Sequence, residues 1–180
     1  MRTIKILLSA VAIVPLLLIA ETSFGQAAPA WTSAATAGSI METASLNRVA
    51  VTQESTAGIT FGANRAGTIK VRYNVVNTAV LPGGQSTGLP PWTTFEMADV
   101  IPAGGAAVTA SLYKLAKCGD IPVLICQING AVNPLVKCDT CAFAAGAFDY
   151  FNFIYYVEVT LTRPSNAVAA PKLYSLRVYN

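Results

Sequence analysis

Hydrophobic and polar positions alternate most regularly between Phe148 and Arg163, FDYFNFIYYVEVTLTR. The odd positions Phe151, Phe153, Tyr155, Val157, Val159 and Leu161 form one series. Asn152, Ile154, Tyr156, Glu158, Thr160 and Thr162 form the other. Period two in β-branched and aromatic residues predicts a strand with its odd face in a core and its even face wet. The same alternation recurs at 68–76, with Ile69, Val71, Tyr73 and Val75 inward and Lys70, Arg72 and Asn74 outward. The closing strand KLYSLRVY alternates Tyr174, Leu176 and Val178 with Ser175, Arg177 and Tyr179. Shorter strands are predicted around Val49 and Val51, around Ile59 and Phe61, over Thr93–Val100 and from Val108 to about Lys117. Ile121–Ile128 is a continuous apolar run, which predicts a strand buried on both faces. Asn129-Gly130 follows as a hairpin signal, and Leu135 and Val136 lead into a predicted turn at CDTC, 138–141.

Turn chemistry separates these strands. GANRAG at 62–67, Pro102–Gly105 and RPSNAVAAP after Arg163 are punctuation. Leu81–Pro91 holds three prolines and three glycines, so it cannot be a central strand. It is the longest predicted loop, and Trp92 stands at its exit. No amphipathic helix and no internal repeat is visible. About eight strands at short spacing predict an all-β fold, a two-sheet antiparallel β-sandwich, jelly-roll-like or immunoglobulin-like. The domain is placed at 46–180. Residues 28–45, rich in Ala, Thr, Ser and Gly, read as a flexible arm from which Trp31 or Ile40 could dock. An outer-membrane barrel would need lipid-facing apolar belts strand after strand, and the first two strands are too short to supply them.

The N-terminus adds a location. Arg2 and Lys5 precede an apolar run from Ile6 to Ala20, too short to span a bilayer comfortably, and small residues follow at Gly25 and Ala27. That order is a signal peptide over 1–27, so the expected location is secreted or periplasmic, with membrane contact only in transit. Charged residues make up 12% of the chain, about half the ordinary share, and the net charge is only +3. Such a balance gives no electrostatic case for nucleic acid. It fits an exported protein that self-associates or meets cell-surface polysaccharide.

Candidate chemistry is sparse. The chain has no histidine, which removes histidine-based triads, histidine metal sites and histidine pH switches. Cys118, Cys126, Cys138 and Cys141 in an exported chain predict two disulfides. Sequence leaves three pairings open; proximity along the chain favours Cys118–Cys126 and Cys138–Cys141. Cys138-x-x-Cys141 lacks the following helix that lowers a redox thiol's pKa, and the spacing of the other pair does not suit a zinc site. No metal and no cofactor is expected. Glu96 and Glu158 lie on different predicted strands, and nothing in their spacing brings them together for glycoside hydrolysis.

Trp92, Tyr156 and Tyr179 are the candidate ligand-binding residues, as a sugar-stacking platform held by a rigid sandwich. The competing role for Trp92, which its usual burial favours, is a plug at one end of the core. The penultimate Tyr179 resembles that of chaperone–usher pilins, but pilin cysteines tie early strands and these lie in the second half, so that family is not carried over. The expected function is a non-enzymatic, disulfide-stapled structural or interaction module. A carbohydrate-binding module stands second and a carboxylate-dependent glycosidase third.

Overall fold

The computed structural model describes residues 30–52, 58–78, 88–119 and 121–180. The expected signal peptide and most of the loop Leu81–Pro91 lie outside them. Two antiparallel sheets pack face to face. The front sheet runs β2 (Ser39–Ile40), β5 (Gly67–Val75), β10 (Phe153–Arg163), β7 (Ala107–Ala116) and β8 (Val123–Asn129). The back sheet runs β3 (Val49–Thr52), β4 (Gly58–Phe61), β11 (Lys172–Tyr179), β6 (Thr94–Ile101) and β9 (Asn133–Ala142), with β1 (Trp31–Ala34) also on β11. The expected β-sandwich is the observed fold.

β10 is the spine of the front sheet. It pairs in unbroken register with β5 on one side and β7 on the other. Its odd residues Tyr155, Val157, Val159 and Leu161 are buried, whereas Phe153 at the strand's start is half-buried and Phe151, expected on the same core face, lies before the strand and is exposed. Opposite them lie Val71 and Val75 of β5, Val108, Ala110 and Leu112 of β7, and Phe95, Met97, Leu176 and Val178 of the back sheet. Burial of this single apolar layer drives the two sheets together.

Four expectations are corrected. First, residues 31–46 are part of the sandwich and not a loose arm. Trp31 is buried, the Tyr73 hydroxyl donates to the Ala35 carbonyl at 2.6 Å, and Ser45 Oγ accepts from the Lys70 amide at 3.1 Å. Gly38 permits this approach, since a Cβ there would collide with Val71 and Tyr73. Second, Ile121–Ile128 is not covered on both faces. β8 is an edge strand on which Val123 and Leu124 stand half exposed, with Ile121 exposed just before it. Third, CDTC is not a turn: it continues β9, whose residues pair with β6 from Lys137 to Ala142. Asn129-Gly130 accordingly joins two sheets, not a paired hairpin. Fourth, a bulge between Leu173 and Ser175 turns Leu173 into the core and leaves Tyr174 half-buried, with the Lys172 ammonium 4.7 Å above its ring.

The cysteine pairing is corrected as well. Cys126 of β8 bonds Cys141 of β9, with Cα atoms 6.1 Å apart, while Cys118 and Cys138 are exposed thiols. β8 and β9 are the edges of opposite sheets on the same side of the sandwich, so this bond clamps the sheets together. Closing a loop of that size stabilises by about 3 kcal/mol in the chain-entropy picture. Cys138 faces away from it, opposite Ala98 across the back sheet, and Cys118 sits in the turn after β7.

Candidate functional site

The outward face of the front sheet carries three rows of side chains across four strands. Register aligns Asn74, Tyr156, Tyr113 and Leu124 in the first row. Arg72, Glu158, Ser111 and Gln127 form the second, and Lys70, Thr160, Thr109 and Asn129 the third. The even positions of β10 point outward because the odd ones fill the core.

Within this face the polar groups pair across strands. Arg72 Nη2 donates to Glu158 Oε2 at 3.3 Å, and its guanidinium lies 4.4 Å above the Tyr156 ring. Gln127 donates to Ser111 Oγ at 3.2 Å, and Thr109 Oγ1 to Asn129 at 3.3 Å. The Tyr113 and Tyr156 rings stack at 5.3 Å. Burial pushes the Tyr156 hydroxyl above the ordinary phenol range, and Arg72 opposes that rise. Lys70 is in turn paired with Glu42 at 3.0 Å. The face is therefore rich in hydrogen-bonding groups while its charges largely cancel.

An open depression of about 400 Å³ adjoins the first row, where β5 ends and β10 begins. Asn74, Val76, Asn77, Tyr150, Ile154 and Tyr156 line it. The Tyr150 hydroxyl, which donates to the Val75 carbonyl at 3.0 Å, holds the rim in place.

The three candidate aromatics do not converge. Trp92 is fully buried and meets Phe148 edge-on at 5.1 Å, within a cluster that includes Tyr150 and Tyr155. It plugs the end of the core and offers no surface to a ligand. Tyr156 is on the front face but only 8% exposed beneath Arg72 and Tyr113. Tyr179 is on the back face, where its hydroxyl donates to Glu96 Oε2 at 3.1 Å. Tyr113, which the sequence reasoning passed over, is the more accessible ring beside Tyr156. The alternation of Val108, Ala110 and Leu112 already implied that it points outward.

The carboxylates are dispersed in the same way. Glu158 belongs to the front face and Glu96 to the back, so they do not face each other over a groove. Asp99 and Asp139 approach each other at the inner edge of β6 and β9, but Asp99 is buried, and Asp139 binds Lys137 and accepts from the Ala131 amide. Burial, reinforced by the Asp139 charge and opposed by Lys137, pushes the Asp99 carboxyl up to about 7. Among the described residues no group of three or more acidic or cysteine side chains is placed to hold a metal ion.

No family model matches the chain, and no curated protein matches it. Solved structures do. One, from work on carbohydrate-binding modules of the β-sandwich superfamily, is 12% identical with a TM-score of 0.50; the match covers 84% of this chain and 57% of that one. A family 6 carbohydrate-binding module is 11% identical with a TM-score of 0.51, covering 83% and 93%. The fold is the β-sandwich that these modules share. At such identity the likeness extends to the fold alone, and this chain spans little more than half the length of the first structure.

Proposed function

We propose that this chain is an exported, non-enzymatic glycan-binding sandwich that holds a neutral polysaccharide on the outward face of its front sheet. The observation that carries this reading is the set of three cross-strand rows, with a stacked tyrosine pair at one end and an open depression beside it. Neutral sugars present hydroxyls and apolar ring faces. Carboxamides, hydroxyls and an ion-paired arginine match the first, and Tyr113 with Ile154 and Val76 match the second. An N-terminal sequence that reads as a signal peptide over 1–27, together with a disulfide, suits an extracytoplasmic site.

Affinity electrophoresis through gels containing xylan, β-glucan or mannan tests the proposal. Retardation is expected in at least one, and Tyr113→Ala should weaken it about tenfold while leaving melting unchanged. Tyr179→Ala on the back face should leave it intact. Absence of retardation in all three gels, or equal loss from both substitutions, refutes the front face as a neutral-glycan site.

A second reading rests on the β8–β9 edge. Ile121, Val123, Leu124, Val132, Leu135 and Val136 stand exposed there beside strands that, among the described residues, have no partner on their outer side. Exposed apolar edge strands pair with further strands. Under this reading the occupant is a second copy of the chain, and Val123→Lys with Leu135→Lys would convert a concentration-dependent dimer in sedimentation into a monomer.

A further inference from the structure

Three arginines converge at the opposite end of β5 from the Tyr150 depression, where none serves the front-face site. Arg48 follows the short helix α1 (Thr43–Leu46), Arg65 lies in the turn between β4 and β5, and Arg163 ends β10. Arg163 spends its guanidinium on the backbone. Its Nε, Nη1 and Nη2 donate to the carbonyls of Val168 at 2.7 Å, Arg65 at 2.7 Å and Asn166 at 2.9 Å. These bonds lash the β4–β5 turn to the loop that follows β10. Arg163 thereby acts as a positioning residue.

The other two arginines face open space. They line a depression of about 440 Å³ together with Asn47, Asn64 and Asn166. Arg48 Nη1 donates to the Thr68 carbonyl at 3.0 Å, and its guanidinium packs against Gly67. Gly67 has φ of +112°, and a Cβ there would lie 3.0 Å from Arg48 Nε, so glycine serves both the backbone and the close approach. Arg65 is exposed, and its guanidinium makes no hydrogen bond or ion pair to any described side chain or carbonyl. Asn64 adopts a left-handed φ of 55°, a conformation that asparagine tolerates.

Among the described residues no carboxylate lines this depression. Glu42, which precedes α1, is already bound to Lys70. The contrast with the front face is chemical: there Arg72 and Lys70 each have a carboxylate partner, and here neither guanidinium has one among the described residues. A guanidinium fork matches a carboxylate, sulfate or phosphate bidentately, and a carboxamide offers both a donor and an acceptor to a neighbouring hydroxyl.

We propose that the Arg48–Arg65 depression is an oxyanion-binding site, taking a carboxylate, sulfate or phosphate group carried beside hydroxyls. Its partners are the Arg48 and Arg65 guanidinium groups for the anion and Asn47, Asn64 and Asn166 for the hydroxyls. The nine residues of β5 put it about 25 Å from the Tyr150 depression, so it stands or falls independently of the neutral-glycan reading.

Calorimetric titration of the full mature chain at low ionic strength tests it, with sodium sulfate, sodium phosphate, glucuronate and a galacturonate trimer as probes. Saturable binding of at least one is expected, weakened by added salt and weakened at least about tenfold by Arg65→Gln with melting unchanged. Arg65 suits this variant because its exposed guanidinium makes no hydrogen bond or ion pair among the described residues. Lys114→Gln, on the far end of β7, should have no effect. Tighter binding of the sugar acids than of the inorganic ions identifies an acidic glycan as the source of the group. The reverse order identifies a free anion, and either order upholds the site. No saturable binding of any probe, or binding that survives both Arg65→Gln and Arg48→Gln, overturns it.

Discussion

The two outward faces of the sandwich carry the same three residue types in different arrangements. On the front, Arg72 bonds Glu158 and covers Tyr156. On the back, Arg177 lies 4.6 Å above the Tyr179 ring, but the tyrosine hydroxyl is what reaches the carboxylate, Glu96. Register is not the difference, since Arg177 stands directly opposite Glu96 just as Arg72 stands opposite Glu158. The front strands β5, β10 and β7 run in unbroken register, and the front sheet shifts register between Leu112 and Tyr113, where β7 meets β8. The back sheet has irregularities at Leu173/Ser175 and Asp99/Ile101, both outside the continuous pairing that runs from Leu176 to Tyr179. What differs is the contact: on the front the guanidinium bonds the carboxylate and covers the ring, and on the back the guanidinium covers the ring while the phenol bonds the carboxylate. Composition alone does not make a face functional.

The largest expected effects test whether both faces rest on one core. Val157 and Leu176 are fully buried, one from each sheet. Aspartate at either should abolish folding, because an unpaired buried charge costs several kcal/mol against a total stability of about 5–15 kcal/mol. A folded Leu176→Asp protein by circular dichroism, alongside an unfolded Val157→Asp, would mean that the back sheet docks on an independently stable front sheet. Trp92→Ala comes next. Emptying a fully buried indole should cost about 3–5 kcal/mol in denaturant melts. A loss under about 1 kcal/mol would show that the ring is not a core plug.

Asp99 distinguishes the sheets by pH. Its Oδ2 has no hydrogen-bond partner, and its carboxyl titrates near 7 when folded. The unfolded chain releases this proton near pH 4, so the folded state holds more protons between those values and stability falls as pH rises. The contribution is complete below about pH 4 and gone above about pH 7. Asp99→Asn should therefore be near neutral at pH 4 and stabilising by about 4 kcal/mol at pH 8. Equal effects at both pH values would show that burial does not control this group.

The strands that alternate cleanly were legible in the sequence because one of their faces is buried and the other is not. β10, β5 and β7 are of this kind. β8 misled because exposed aliphatics on an edge strand spell the same run as a strand buried on both sides. β9 was hidden because PLVKCDTCA has no apolar period, and none of its residues is fully buried. The Cys126–Cys141 bond depends on which strands become edges, and chain proximity holds no information about strand order. The N-terminal segment docks through Trp31 and the close approach at Gly38, neither of which leaves a periodic signature. The arginine pocket was illegible for a related reason, since Arg48 and Arg65 are 17 positions apart and meet only through turn geometry.

The smallest expected effect bears most directly on the two faces. Glu158 accepts from a guanidinium, and Glu96 accepts from a neutral phenol. Glutamine keeps an acceptor oxygen in both places, so Glu96→Gln preserves its contact apart from the charge. Glu158→Gln removes a Coulomb attraction that holds Arg72 over Tyr156. Both groups of that pair are partly exposed, which limits the loss to about 0.5 kcal/mol. The discriminating property is salt. Raising NaCl from about 0.02 M to about 1 M shortens the screening length from roughly 20 Å to about 3 Å. The difference in melting between wild type and Glu158→Gln should shrink across that range, while the smaller effect of Glu96→Gln should stay constant. A salt-insensitive Glu158→Gln effect would mean that Arg72 is held by its ring contact alone, and the front and back arrangements would then be energetically alike.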